Sequence, residues 1–250
     1  MLFILRKLRR SFFQPGKLQT YIAYAIGEVL LIVIGILIAL QIQNWNEEKR
    51  DANERQRLVA QLIHDFEVTK QRILTGREEA AFTLMHGSFL MLSDPLDESI
   101  PIEKWQEAAN NSWEKVDFQP LLSTYQSAVD TGKIALLEHS GLLEAFAEFN
   151  LLHGNYEHFD RLSAEIFYTG ANLEAAKEVG SARLLWGNLK DYPVRENRDL
   201  PTLREVYSLP TVIVTVELYW HTIHNMDFNF EEMLVVVDRI LDELKQLQND

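Results

Sequence analysis

The chain contains no cysteine. Disulfides, thiolate nucleophiles and cysteine-ligated metals are excluded together, while the compartment is left undecided. Glycine-rich phosphate loops, a Gly-x-Ser-x-Gly nucleophile elbow and a His-Glu-x-x-His zinc motif are absent as well. So is any Glu-x-x-His pair, the unit from which di-iron carboxylate bundles build their centres. No internal repeat or low-complexity segment is evident. Basic residues are outnumbered: 24 Lys and Arg against 37 Asp and Glu give a formal charge of −13. The deficit is uneven, because residues 1–20 hold Arg6, Lys7, Arg9, Arg10 and Lys17 and no acid, which leaves the rest of the chain at −18. A body so acidic is repelled by phosphate backbones, so nucleic-acid binding is disfavoured.

What is present is first a long apolar run. From Ile26 to Ile42 only Glu28 and Gln41 are strongly polar. Tyr24 and Trp45, with Tyr21 one turn before, stand as interfacial anchors at its two ends. The spacing between those aromatics, at about 1.5 Å per residue, matches the ~30 Å hydrocarbon core of a bilayer. A transmembrane helix is expected over 21–44. A cleaved signal peptide is the competing reading. Against it, the run exceeds a typical signal-peptide apolar region, and Gln41, Gln43 and Asn44 stand where small cleavage-site residues are wanted. The basic segment 1–20 before the run favours a cytoplasmic N-terminus and an extracytoplasmic domain, and it suits an anionic lipid surface. Within it, Leu2, Leu5, Leu8 and Phe12 fall at helical spacing, so MLFILRKLRRSFF can lie along the membrane until Pro15-Gly16 breaks it.

NWNEEKRDANERQR follows, polar on nearly every face. Glu47/Arg50, Asp51/Arg55 and Glu54/Arg57 have the acid-before-base spacing that supports an exposed helix. A helical stalk over 45–57 is expected; a flexible linker would want Gly, Ser or Pro, and none occurs there. From 58 to 250 the pattern is that of a soluble α-helical domain. Val59, Leu62, Phe66, Ile73, Ala80 and Leu84 form an apolar stripe that ends near Ser93-Asp94-Pro95. A short helix is expected from Pro101 to about Trp113, another from Phe118 to Thr131 stopped at Gly132, and a long one from Ser140 with Leu142, Phe146, Phe149 and Tyr156 on one face. Residues 180–210 are the least regular part. The clearest periodicity is C-terminal: Val212, Val216, Tyr219, Ile223, Met226, Phe230, Met233, Val237, Ile240, Leu244 and Leu247 alternate steps of four and three. That 3.5-residue repeat overrides the strand propensity of VIVTVELYW. The fold class is therefore all-α: a transmembrane helix continuing as a stalk into an antiparallel bundle with a long C-terminal helix. A separate coiled-coil dimer arm is the alternative for that last helix.

Few residues invite a chemical role. Glu217, His221 and His224 share a face of the C-terminal helix and are weak metal-ligand candidates, but Tyr219, Ile223 and Met226 own the buried seam, so an outer polar face is the simpler account. His153 falls on an apolar face, where a packed core histidine is expected. No cofactor and no catalytic constellation are expected. The membrane run holds the most specific interaction signal: Ala23, Gly27, Gly35 and Ala39 lie on one four-residue ladder interrupted by Leu31, and at such small residues two helices can approach closely. Glu28 beside Gly27 sits one turn from Tyr24, so it can reach interfacial water, or hydrogen-bond across a helix pair.

YAIGEVLLIVIGILIALQIQNWNEE after a short basic segment, together with FQPLLSTYQSAVDTGKIALLEHSGLLEAFAEFN at 118–150, resembles a family of bacterial single-pass membrane proteins whose helical domain has no assigned function. The resemblance implies the inner membrane and a helical domain, and supplies no activity. The expected role is thus a protein-interaction or scaffold module, bound to membrane lipid and to a protein partner or further copies of itself. A ligand-sensing domain is the runner-up, although some 20 cytoplasmic residues are too few for an output domain. An enzyme comes third.

Overall fold

The computed structural model describes residues 17–137, 140–180 and 201–249, apart from the side chains of 17–21, 23 and 140. The basic amphipathic segment and its Pro15-Gly16 break lie outside these residues, as does most of the stretch read as least regular. The chain divides into two units, Met1–Gln56 and Arg57–Asp250. Helix α1 (Lys17–Leu92) begins in the first and ends in the second. After it come α2 (Ile102–Asn111), α3 (Ser123–Asp130), a 3-10 turn (Lys133–Leu137), α4 (Ser140–Tyr168), α5 (Ala171–Val179), the single turn α6 (Leu203–Val206) and α7 (Pro210–Asn249). No strand occurs among the described residues.

In the first unit α1 is apolar on every side between Val29 and Leu40. Val29, Leu30, Leu31, Ile32, Ile36, Leu37, Ile38 and Ile42 are all exposed, and this is the one helix among the described residues long and apolar enough to cross a membrane. Further along, Lys49 lies over the Trp45 ring at 5.9 Å. Two of the stalk residues take partners other than those of the spacing rule: Arg50 reaches Asp51 at 3.5 Å, and Glu47 accepts from Gln43 at 3.1 Å. Exposed pairs of this kind are nearly isoenergetic, so the nearest carboxylate wins.

The second unit is a bundle built on α1, α4 and α7. The expected stripes are its core: Val59, Leu62, Phe66, Ile73 and Ala80 from α1, Leu142, Phe146, Phe149 and Tyr156 from α4, and Val212 through Leu244 of the heptad seam from α7 are buried. Each such side chain is worth about 1.5–3 kcal/mol relative to exposure, which is why burial decides the state of VIVTVELYW. α7 runs antiparallel to α1, since Glu67 pairs with Lys245, Lys70 with Asp238 and Arg77 with Asp227. It is antiparallel to α4 too, with Glu148 against Arg239 and Gly141 against Glu243. Phe66 of α1 stacks on Phe146 and meets Phe149 edge-on, at 5.5 and 5.7 Å, which closes the three-helix core. Gly76 is needed where α1 crosses α7: a Cβ there would stand 2.8 Å from the Phe230 ring, itself wedged by Phe118 and Tyr156.

Two local expectations are corrected. The helix foreseen from Phe118 begins only at Ser123, and the helix foreseen from Pro101 has that proline as its N-cap, with φ −60° and ψ 144°. Pro120 keeps its preceding residue extended, and the backbone around it is held by side chains of α1 instead of by a helix ladder. Gly132, at φ +71°, ends the α3 turn as foreseen. The short helix α5, for which the sequence pattern carries no separate expectation, ends at Gly180 with φ +77°. α6 is set by a capping box between Thr202 and Glu205. Next to it Arg204 donates to the carbonyls of Pro95, Asp97 and Ile100, tying down the loop that follows α1.

Candidate functional site

Residues 113–122 form a non-helical strap that crosses the bundle between α2 and α3. A buried backbone without a ladder must find partners elsewhere. The long helices supply them. Tyr156 of α4 donates to the Val116 carbonyl at 3.0 Å, Tyr219 of α7 to the Glu114 carbonyl at 3.2 Å, and Thr83 of α1 to the same carbonyl at 3.4 Å. Arg72 donates to the Gln119 carbonyl at 2.7 Å, and Thr69 accepts from the Leu121 N–H at 2.9 Å. Asp65 accepts from the Thr124 N–H at 3.4 Å, so α3 is capped by a carboxylate from α1. Burial pushes the phenols of Tyr156, Tyr207 and Tyr219 well above the usual tyrosine range, so all three stay neutral, and Tyr156 and Tyr219 keep the protons they donate to the strap.

The strap has a hollow on each side. One, of about 450 Å³, lies against α4 and is lined by Lys115, Gln119, Gln126, His153, Glu157 and Asp160 over an apolar floor of Phe118 and Leu121. Lys115 pairs with Asp160 at 3.4 Å across it. The other, a broad groove of about 700 Å³, runs beside α1 along His64, Glu67, Gln71, Arg72, Asp117 and Gln119. His153 is half-buried between aromatic rings, with Phe118 at 6.0 Å and the parallel rings of Phe149 and Tyr156 at 6.3 and 6.5 Å. Burial holds its pKa below the ordinary imidazole value against the opposing pull of Glu157. The ring is therefore neutral at neutral pH and packs as an aromatic.

The other sequence candidates lie apart from the strap. Glu217, His221 and His224 are exposed on α7; His221 lies 3.2 Å from the Asn225 amide and His224 stacks on Trp220 at 5.0 Å. No group of three or more His, Asp or Glu placed to hold a metal occurs among the described residues. In the first unit Gly35 and Ala39 face outward with Glu28, and Gly27 is half-exposed. A Cβ at Gly27 or Gly35 would meet nothing within 4 Å. Tyr24 and Trp45 are exposed anchors, while the side chains of Tyr21 and Ala23 lie outside the described residues. The strap's partners went unread in the sequence, yet a signal was there. Asp65, Thr69 and Thr83 are buried polar residues in phase with the apolar stripe of α1, and a polar residue repeated on a core face implies something polar packed against it.

A helix long and apolar enough to span a bilayer, followed by an all-helical domain, defines a class of candidate membrane-anchored proteins and no particular chemistry. Within that class the chain belongs to a family of unknown function, DUF6090, whose model matches residues 28–174. The match takes in the first of the stretches noted above from Glu28 onward, all of 118–150, and the whole strap. It stops before α7, which carries the heptad seam. No curated protein and no solved structure matches the chain.

Proposed function

We propose that the chain is a single-pass membrane protein whose helical domain binds other proteins, with its N-terminus in the cytoplasm and the domain outside a bacterial inner membrane. One observation carries the reading. Around the full circumference of α1 between Val29 and Leu40 the side chains are apolar and uncovered, and a helix apolar all round is stable only when protein or lipid surrounds it. Trp45 and Tyr24 at its ends suit the two interfaces, and Glu28, one turn from Tyr24, is shallow enough to reach water. The domain supports an interaction role through its rigid core and the apolar residues it leaves exposed. A ligand-sensing role draws on the hollow beside His153. Affinity capture of the tagged full-length protein in mild detergent, read by mass spectrometry and light scattering, separates the possibilities. The interaction reading expects a stoichiometric partner or a defined oligomer; a lone monomer contradicts it.

A further inference from the structure

We infer that the outer face of the α1–α7 pair is a docking groove for a basic amphipathic helix of a partner protein. This rests on the interaction reading above and names the partner's chemistry. The seam is fixed by contacts across it: Arg77 to Asp227 at 3.0 Å, and the Trp220 indole N–H to the Leu84 carbonyl at 3.1 Å and the Ser88 hydroxyl at 3.0 Å. On its solvent side Leu74, Glu78, Ala81 and Met85 recur along α1 at steps of four, three and four, and His224, Phe228, Glu231 and Val235 do the same along α7. All eight are exposed, Met85 at 59%, Phe228 at 57% and Val235 at 67%. Two parallel rows of this kind form the trough into which a further helix packs, as in a four-helix bundle.

Charge selects the occupant. The basic residues on residues 70–92 of α1 are Lys70, Arg72 and Arg77, engaged by Asp238, the Gln119 carbonyl and Asp227, and residues 217–238 of α7 contain none. The rim is left with Glu78 and Glu217, and with Glu231 at 4.0 Å from the already paired Arg77. A second copy would bring these carboxylates against each other. A helix with an apolar stripe flanked by lysine or arginine instead meets apolar side chains in the trough and opposite charge at its edges.

The test uses full-length protein in nanodiscs of zwitterionic lipid and a labelled synthetic helix with leucines on one stripe and lysines elsewhere. A control helix carries glutamates in place of the lysines, and empty nanodiscs give the background. Fluorescence anisotropy is expected to show saturable binding of the lysine helix, at least tenfold tighter than the glutamate helix. Phe228→Lys, at an exposed position, weakens it tenfold or more with the circular dichroism spectrum unchanged, and Leu151→Lys on the exposed side of α4 leaves it as it was. Equal affinity for the two helices, or undiminished binding by Phe228→Lys, overturns the inference. So does a dimer that Phe228→Lys converts to monomer, because the occupant is then a second copy. Retention of a captured partner by Phe228→Lys removes this groove and leaves the interaction reading standing.

Discussion

His153 shows how a single position can be misjudged from its chemistry and correctly placed from its neighbours. A lone histidine invites a catalytic or metal role, but its place on a face with Phe146, Phe149 and Tyr156 pointed to packing, and its ring lies within an aromatic cluster. Its lowered pKa has a thermodynamic consequence. As the pH falls below the ordinary value of 6.5, the unfolded chain takes up a proton that the folded one resists, so the contribution of His153 to stability is full above that pH and declines below it. Urea unfolding at pH 7.5 and pH 5 should show a smaller acid-induced drop in midpoint for His153→Gln than for the parent protein. An equal drop would mean that the ring is hydrated in the folded state.

Among the elements, legibility follows periodicity. α7 and the core faces of α1 and α4 could be read from the sequence because burial repeats along them every three or four residues. The strap could not, since its order comes from side chains 31 to 105 positions away, and its own residues follow no period. Pro120 was the local sign that a helix could not run through 118–122. The strap depends on its donors: removing the Tyr156 hydroxyl leaves the Val116 carbonyl buried and unpaired. Tyr156→Phe should therefore cost about 1–3 kcal/mol of unfolding free energy, and amide hydrogen exchange should rise first across residues 113–122. A loss within error of zero would show that water already serves that carbonyl. α5, too short to stand out from its neighbours, becomes visible only through Gly180 and its packing against α4 and α7.

Over the whole molecule the governing contrast is between a run that water does not tolerate and an acidic domain that it does. The family match identifies relatives and assigns them no task, so the physical reading must come from where the apolar surface and the charge lie. A bundle core of aliphatic and aromatic side chains is common to many helical domains and says nothing of function. The uncovered apolar helix is what distinguishes this one. The absence of cysteine makes the central claim directly measurable, because any cysteine introduced is unique. Glu98→Cys in the exposed loop after α1 and Ser11→Cys in the basic segment can each be treated with a membrane-impermeant maleimide in intact spheroplasts. A single-pass anchor with its domain outside predicts labelling of Glu98→Cys in intact cells and of Ser11→Cys only after permeabilisation. Protection of Glu98→Cys until the membrane is opened would contradict it.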